Sequence, residues 1–236
     1  MALRPTGVLL AGGRSSRMAD AFASGAGDKG LLTLGDRPML THVIERLRPQ
    51  AGKLVINANG DPARFKAFGL PVAADSIEDF AGPLAGILAG MRWSIANAPE
   101  ATHILSVSTD APFLPSDLAQ RLQEALSAAL SPSRASRVTR DGERDLPRST
   151  ESAPKIALAS SGGELHPVIG LWPVSLADDL DAALKSGTRK VLAWTDRHGT
   201  KSVEFPFLSI AGHTVDPFFN ANTPDELDEA RRLLAS

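Results

Sequence analysis

Basic side chains and paired glycines share one stretch near the start of the chain, residues 7–30. An apolar run at 8–11 leads directly into Gly12 and Gly13, and the stretch carries three cations: Arg14, Arg17 and Lys29. Glycine lets the backbone approach a ligand closely because it has no Cβ. Backbone N–H groups and cationic side chains together hold anions. The stretch therefore predicts a buried strand followed by a phosphate-binding loop, with a flexible turn carrying solvated arginines as the alternative.

Two established phosphate-binding motifs describe this loop less well. A P-loop requires Gly-Lys-Ser/Thr, whereas Lys29 lies between Asp28 and Gly30. Residues 25–30 match the dinucleotide-binding pattern Gly-x-Gly-x-x-Gly, which should directly follow a strand and begin a helix. Many small and polar residues separate them from the predicted strand, so we interpret the match as chance and keep a dehydrogenase as a remote alternative.

A carboxylate, Asp110, follows the strand predicted at 103–107. Ligands of open parallel sheets bind beyond the carboxyl ends of the strands, so Asp110 should lie at the binding edge. Magnesium prefers one or two carboxylates together with substrate phosphate oxygens. Asp110 is therefore a candidate magnesium ligand, although an isolated aspartate at such a place is more typical of a turn or a helix cap.

Polar residues also end two other predicted strands: Asn57 closes the strand at 53–57, and Asp75 follows the strand at 71–74. An amide and a carboxylate offer the donors and acceptors that the edge of guanine or a ribose hydroxyl requires. Closing a turn after a strand is an equally typical role for both residues.

Three glycines belong to a helix predicted after Pro83. For Gly82 and Gly86, near its start, close approach of a ligand and close packing of the helix are both open. For Gly90 we expect close packing of helix against sheet. Five apolar residues have the spacing of the buried face of this helix: Leu84, Ile87, Leu88, Met91 and Ile95.

Alternating strand and helix patterns position these residues. Strands at 8–11, 53–57, 71–74 and 103–107 alternate with helices that begin near Pro38, Pro83 and Pro115. This alternation predicts right-handed βαβ units. The fold class is therefore α/β: a Rossmann-like, mostly parallel sheet flanked by helices.

The C-terminal half carries different turn and cap patterns. Ser161-Gly162-Gly163-Glu164 lies between two apolar runs and predicts an antiparallel hairpin excursion. Within that hairpin, His166 is more typical of a packed strand residue than of a catalytic base. Ser175 is expected to cap a helix, and residues 223–226 form a capping box that begins the last one.

Length, charge and cysteine content exclude several classes of protein. The 236 residues suit one domain over 1–236, with a Ser-, Pro- and Arg-rich segment at 131–153 expected to be an exposed or disordered insertion. A net charge of −2 argues against a general nucleic-acid or anionic-membrane binder. The absence of cysteine excludes disulfides, thiolate metal sites and cysteine nucleophiles. No signal peptide or membrane span is evident, so the cytoplasm is the expected location.

The order of residues from Leu10 to Lys29 resembles the nucleotidyltransferase signature Leu-Ala-Gly-Gly-x-x-x-Arg-Met…Asp-Lys. The chain is most similar to the molybdenum cofactor guanylyltransferases, which make molybdopterin-guanine dinucleotide. Further segments carry the resemblance: Gly82-Pro83-Leu84-Ala85-Gly86, Asp110-x-Pro112-Phe113-Leu114-Pro115, His166-Pro167-Val168-x-Gly170-Leu171-Trp172-Pro173 and Phe218-Phe219-Asn220-x-Asn222-Thr223-Pro224. The chain departs from the family in a longer segment at 19–27 and in Ser108-Thr109, where many members have Pro-Cys.

This resemblance implies a nucleotide-diphospho-sugar-transferase-like fold and a reaction in which molybdopterin, with or without molybdenum, attacks the α-phosphate of GTP–Mg²⁺. It implies that Asp110 holds Mg²⁺, the expected cofactor. The loop context makes Arg17 and Lys29 the candidates for gripping the phosphates and the departing pyrophosphate, with an exposed arginine and a helix-capping lysine as the alternatives. Asn220 and Asn222 are assigned to the acceptor side or the metal. The implied nucleotide contacts are Leu10, Ala11, Gly12, Gly13, Lys29, Asn57, Asp75 and Asp110, to which we add Gly82. Molybdenum-insertion and molybdoenzyme-maturation proteins are further implied partners, whereas nucleic acid and membranes are not.

Two other functions stay open. A relative that uses CTP, or a sugar-1-phosphate as acceptor, would share the glycine-rich loop and the metal ligand. A non-catalytic nucleotide-binding module would share the fold, although the joint presence of Arg17, Lys29 and Asp110 speaks against it.

Overall fold

The computed structural model describes residues 4–11, 28–77, 82–130 and 155–235. In chain order the strands are β1 (Thr6–Leu10), β2 (Thr33–Leu34), β3 (Arg37–Pro38), β4 (Leu54–Asn57), β5 (Val72–Ala73), β6 (His103–Ser108), β7 (Ile156–Ser161), β8 (Glu164–Pro173), β9 (Thr200–Glu204), β10 (Leu208–Ile210) and β11 (His213–Val215). The α-helices are α1 (Met39–Leu47), α2 (Pro83–Asn97), α3 (Leu118–Leu130), α4 (Ala177–Lys185), α5 (Val191–Thr195) and α6 (Pro224–Ala235).

A seven-stranded sheet with the strand order β5-β4-β1-β6-β8-β7-β9 forms the centre of the structure. The first four of these strands are mutually parallel, so their carboxyl ends meet at one edge. β8 runs antiparallel to both β6 and β7, and β9 pairs parallel with β7. The prediction of a mostly parallel α/β sheet with a C-terminal antiparallel hairpin is therefore confirmed.

Alternation along β1 divides the core into two layers, because successive side chains of a strand point to opposite faces. Leu9 packs in one layer with the buried faces of α1 and α3. Val8 packs in the other with α2, α4 and Trp194 of α5. Five apolar residues with helical spacing form the buried face of α1: Met39, Leu40, Val43, Ile44 and Leu47.

A third, smaller cluster joins the last helix to the loops at the carboxyl edge of the sheet. Leu227, Ala230 and Leu233 of α6 pack with Phe113 and Leu34. Phe113 follows shortly after Asp110, and Leu34 follows the short 3-10 turn Lys29–Leu31. The C-terminal helix therefore packs beside the two segments that carry candidate site residues.

Several local predictions differ from the structure. Ile95 is 46% exposed, because Ser94 takes the inward position of α2 and exchanges a hydrogen bond of 2.7 Å with the Thr6 hydroxyl. Ser175 does not cap α4, since residues Val174–Leu176 form a 3-10 turn and the cap position falls on Leu176. The acidic residues Asp178 and Asp179 in the first turn of α4 favour its N-terminus instead.

Two short hairpins were missed by the sequence analysis, and some predictions fall on residues that the structure does not describe. The hairpins β2–β3 and β10–β11 were not predicted. The segment 131–153 lies outside the described residues, as do Gly12, Gly13 and Arg17. Within the described ranges, no helix combines the length and the hydropathy that crossing a membrane requires.

Candidate active site

Asp110, Lys29 and Asn222 meet beyond the carboxyl end of β6. The Lys29 ammonium lies 3.7 Å from Asp110 Oδ2, and the two side chains are 19% and 13% exposed. Lys29 Nζ also donates a hydrogen bond to Asn222 Oδ1. A cation is thus held between an anionic and a neutral oxygen, in a place where both charged groups are mostly removed from solvent.

Close backbone packing fixes the Lys29 turn against the end of β6. A Cβ at Gly30 would lie 2.9 Å from Thr109 Cβ, so only glycine fits this contact without movement. The Thr109 hydroxyl in turn donates to Leu10 O at 3.4 Å. The chain around Lys29 is therefore seated on the ends of both β1 and β6.

Ser108 accounts for the second oxygen of Asp110. Its hydroxyl donates to Asp110 Oδ1, while Oδ2 faces Lys29. The sequence marked Ser108 only as a departure from the family pattern and gave it no role. In the structure it orients the carboxylate, which a proline at the same place has no hydroxyl to do.

Asn57 and Asp75 form a second polar group two strands along the same edge. Asn57 Nδ2 donates to Asp75 Oδ1 at 2.8 Å and to Ala73 O at 3.1 Å. Leu10 lies beside Asn57 in the register of β1 and β4, and Ala11 N donates to Asn57 O at 2.9 Å. Asp75, Asn57, Leu10 and Asp110 thus belong to the carboxyl edge formed by β5, β4, β1 and β6.

Asn59 and Arg64 complete this second group, and sequence reasoning missed both. Asn59 Nδ2 donates to Asp75 Oδ2 at 2.7 Å, and Asp75 N donates back to Asn59 Oδ1 at 2.9 Å. Arg64 pairs with Asp28 at 2.5 Å and donates to Asn59 O at 2.6 Å. The polar residues after β4 were a signal for Asn59, whereas Arg64 lies in a 3-10 helix, Pro62–Phe68, whose sequence carries no site pattern.

Gly82 and Gly86 are required to be glycine for different structural reasons. Gly82 precedes α2 with a φ of 73°, a backbone conformation that favours glycine. A Cβ at Gly86 would lie 2.2 Å from Asn57 Oδ1, so this glycine makes room for the Asn57 amide. Gly90 packs against Val8 in the predicted manner. For Gly86 the structure therefore gives close packing, and the group it packs against belongs to the candidate site.

A capping box fixes the segment that carries Asn220 and Asn222. Glu226 Oε2 accepts hydrogen bonds from the backbone N–H groups of Asn222 and Thr223, both at 2.8 Å, and the Thr223 hydroxyl accepts from Glu226 N at 3.2 Å. Ala221 N donates to Asp110 O at 3.2 Å. Asn220 Oδ1 is buried and has no hydrogen-bond partner among the described residues. An orphaned buried oxygen at this place has the chemistry of a ligand contact.

The oxygens near Lys29 fit a hard divalent cation. In the described part of the chain, no cluster of three or more His, Cys, Asp or Glu residues has the arrangement of a metal site. Asp110 and Asn222 nevertheless supply one carboxylate and one amide oxygen that both contact Lys29. Asn220, two residues before Asn222, adds a buried amide oxygen without a partner among the described residues. Magnesium and manganese accept such oxygens and complete their coordination with water and substrate phosphate.

His166 lies in β8 and is half-buried, as the sequence predicted for a packed residue. Its ring lies 4.7 Å from that of Phe218. Burial lowers the pKa of His166 below its usual value, although Asp216, Glu164 and Glu204 act in the opposite direction. The imidazole is therefore predominantly neutral near pH 7.

Residues 7–201 match the MobA-like NTP transferase domain. A molybdenum cofactor guanylyltransferase of Rhizobium meliloti (strain 1021) is 46% identical over 231 residues, which cover 98% of this chain and 92% of that protein. The similarity thus extends from the glycine-rich stretch to the last helix.

Solved structures share the fold at lower identity. Molybdopterin-guanine dinucleotide biosynthesis protein A of Archaeoglobus fulgidus has a TM-score of 0.64 at 19% identity, with 98% of each chain covered. Rv0371c of Mycobacterium tuberculosis H37Rv, solved in complex with manganese, has a TM-score of 0.58 at 18% identity, with 99% of each chain covered. At these identities the likeness concerns the arrangement of strands and helices.

Proposed function

We propose that this chain, which belongs to the MobA-like NTP transferase family, transfers GMP from GTP to the terminal phosphate of molybdopterin. Nucleotidyl transfer in molybdenum cofactor biosynthesis follows from its relationship to the molybdenum cofactor guanylyltransferases. The proposed substrates are GTP as the donor and molybdopterin or its molybdenum-loaded form as the acceptor, with Mg²⁺ as the metal. The convergence of Lys29, Asp110 and Asn222 at the edge of the parallel sheet is the observation that carries this proposal.

The reaction forms one P–O bond and breaks one. A phosphate oxygen of the acceptor attacks the α-phosphorus of GTP, and the bond to the β-phosphate oxygen breaks as pyrophosphate leaves. A phosphate monoester is already largely ionised near pH 7, so the protein needs no general base to activate it. Positioning of the two substrates and neutralisation of charge supply most of the rate.

Lys29 and Arg17 are the proposed contacts to the phosphates. Lys29 Nζ lies within reach of Asp110 and Asn222, so a triphosphate bound there would meet the ammonium beside the metal ligands. Arg17 belongs to the glycine-rich stretch with Gly12 and Gly13, and its assignment rests on the family motif. Together these cations offset the charge that develops on the leaving pyrophosphate.

Asp110, with Asn222 and Asn220, is the proposed oxygen set for Mg²⁺. The metal would supply charge neutralisation and alignment of the α-phosphate. The hydroxyl of Ser108 donates to Asp110 Oδ1 and so orients the carboxylate. Asn222 contacts Lys29, and Ala221 N donates to Asp110 O, so this segment lies beside the proposed phosphate and metal contacts. These contacts support its assignment to the acceptor side.

Asn57 and Asp75 are the proposed site for the nucleoside of GTP. Both carboxylate oxygens of Asp75 already accept an amide hydrogen, from Asn57 and Asn59, so the carboxylate is held rigidly and has lone pairs left for a donor. Leu10 and Ala11 lie beside Asn57, and Gly82 begins the helix that contains Gly86. The donors on the edge of guanine or the ribose hydroxyls suit this arrangement.

A turnover assay with purified molybdopterin tests the proposal. The chain is incubated with GTP, Mg²⁺ and acceptor, and pyrophosphate release is measured with and without the acceptor. We expect release that depends on both GTP and the acceptor, together with a product in which GMP is linked to the pterin phosphate. Release with CTP in place of GTP, or with a sugar-1-phosphate in place of the pterin, would replace this function with that of a related nucleotidyltransferase.

A thermal-shift comparison of ATP, CTP, GTP and UTP checks the donor independently of the acceptor. A ligand that binds only the folded state raises the unfolding midpoint. The largest increase is expected with GTP. Binding of GTP without any acceptor-dependent pyrophosphate release would favour a non-catalytic nucleotide-binding module.

A further inference from the structure

A buried serine joins a strand of the sheet to the segment that carries the site asparagines. Ser161, at the end of β7, is 2% exposed. Its hydroxyl lies 2.8 Å from Asp216 Oδ1 and 2.7 Å from His166 Nε2. An ionised carboxylate only accepts, so Ser161 donates to Asp216 and His166 Nε2–H donates to Ser161. The direction of both hydrogen bonds is thereby determined.

Asp216 connects the Ser161 hydroxyl to the backbone that follows Asp216. Its Oδ1 also accepts a hydrogen bond of 2.8 Å from Phe218 N. The Phe218 ring lies 4.7 Å from His166 and packs edge-on against Phe205 at 5.3 Å. Polar and aromatic contacts therefore fix the chain at Asp216–Phe218, immediately before Asn220.

The same segment is fixed again at its other end. Glu226 accepts from the backbone N–H groups of Asn222 and Thr223. Between the two anchors, Ala221 N donates to Asp110 O, Asn222 Oδ1 accepts from Lys29, and Asn220 Oδ1 stays without a partner among the described residues. Residues 216–222, named here the asparagine segment, thus span from the Ser161 network to the capping box across the candidate metal oxygens.

The neighbouring serine provides a natural comparison. Ser160 is 5% exposed and precedes Ser161 in β7. Its hydroxyl donates to Glu204 Oε2 at 2.6 Å and accepts from Ser202 Oγ at 3.0 Å. These partners belong to β9 and not to the asparagine segment. Two adjacent buried serines on one strand therefore serve different parts of the molecule.

We propose that Ser161, His166 and Asp216 are positioning residues that hold Asn220 and Asn222 in place beside Asp110 for binding of the metal and the acceptor. The inference rests on the proposed function of the site, and it adds three residues that touch neither nucleotide nor metal. The network acts through the Asx-type bond from Phe218 N to Asp216 and through the packing of Phe218. Loss of one of its hydrogen bonds lets the asparagine segment move without unfolding the sheet.

Ser161→Ala and Ser160→Ala form the matched pair that tests this inference. Both remove one buried hydroxyl from β7, so both should lower the thermal midpoint by a similar amount. The Mn²⁺ dissociation constant is measured by electron paramagnetic resonance with GTP present. Only Ser161→Ala should raise this constant, by about tenfold, because the loss of one ordinary hydrogen bond corresponds to a factor of that size. The Michaelis constant for the acceptor should rise in the same variant, with a smaller change in kcat.

Hydrogen exchange of the Phe218 and Ala221 amides gives a readout that needs no substrate. These amides donate to Asp216 and Asp110, so Ser161→Ala should accelerate their exchange by about tenfold and Ser160→Ala should leave it unchanged. Because this measurement uses neither GTP nor molybdopterin, it still decides the positioning role if the wild type fails to transfer GMP.

A second pair at Asp216 separates hydrogen bonding from general damage. The side-chain oxygen of Asp216→Asn can still accept from Ser161 and Phe218, so this variant should keep Mn²⁺ affinity and exchange near those of the wild type. Asp216→Ala loses both acceptors and should behave as Ser161→Ala does. If Ser161→Ala and Asp216→Ala both leave Mn²⁺ affinity and amide exchange at the level of Ser160→Ala, the network only stabilises the fold and the inference is overturned.

Discussion

Gly86→Ala introduces a methyl group directly behind the Asn57 amide. The new Cβ would lie 2.2 Å from Asn57 Oδ1 and 2.9 Å from Leu10 Cδ2, whereas ordinary contacts begin at 3.4 Å. The Asn57 side chain must therefore retreat by about 1.2 Å, the difference between 3.4 and 2.2 Å. Its bonds of 2.8 Å to Asp75 and 3.1 Å to Ala73 cannot survive a displacement of that size.

The expected loss has a thermal part and a binding part. Overpacking of a well-filled core costs about 1–3 kcal/mol, which for a chain of this length lowers the midpoint by about 2–4 °C per kcal/mol. The two broken hydrogen bonds, at about 1 kcal/mol each, belong to the free protein and add to this loss of stability. The displaced Asn57 amide also loses its proposed hydrogen bond to the nucleoside, so GTP binding should weaken by about 1.4 kcal/mol, which is roughly tenfold. Isothermal titration with GTP and Mg²⁺ measures the second part directly.

Gly90→Ala is the control, since it lies one turn later on the same helix. Its Cβ would approach the two methyl groups of Val8 to 2.6 and 2.8 Å, without reaching Asn57. We expect both variants to lose stability and only Gly86→Ala to lose GTP affinity. Equal affinities in the two variants would refute the assignment of Asn57 to the nucleotide site.

Three further outcomes follow from the structure. Asp110→Asn should lower kcat by orders of magnitude, because the charge stabilisation that a metal provides is worth roughly several kcal/mol; turnover near that of the wild type would contradict the metal role. Arg64→Ala should raise the Michaelis constant for GTP several-fold, because it releases Asp28, which immediately precedes Lys29. Arg37→Ala, which removes an exposed ion pair, should leave that constant unchanged. Burial lowers the pKa of His103 below the usual value, so the unfolded chain binds more protons and the free energy of unfolding decreases as the pH falls through about 6.5. Urea unfolding between pH 7.5 and 5.5 should show a shallower decrease for His103→Gln, and an unchanged slope would contradict this origin.

Local patterns were sufficient to predict the elements that position the candidate site. The apolar run that contains Val8 and Leu9 reads as a buried strand because both faces of β1 are covered. In the capping box, Thr223 and Glu226 contact each other and are only three positions apart in the sequence. The motif can therefore be identified without knowledge of the fold. Asp110 was placed at the binding edge by the direction of its strand alone.

Contacts between distant segments were beyond sequence reasoning. The bond from Lys29 to Asn222 and the bond from Ser161 to Asp216 depend on how the loops fold over the sheet edge. Ile95 was misplaced for a related reason: Thr6, on a strand far away in sequence, gives Ser94 a buried partner. Spacing along one helix does not report which polar residue finds such a partner.

The contact between Lys29 and Asn222 joins positions 193 residues apart. During translation the first four parallel strands leave the ribosome long before the asparagines do, so the nascent chain has Lys29 and Asp110 without Asn222. The final helix packs against Phe113 and Leu34, and the asparagines immediately precede that helix. The proposed contacts to metal and acceptor therefore come together only when synthesis is almost complete.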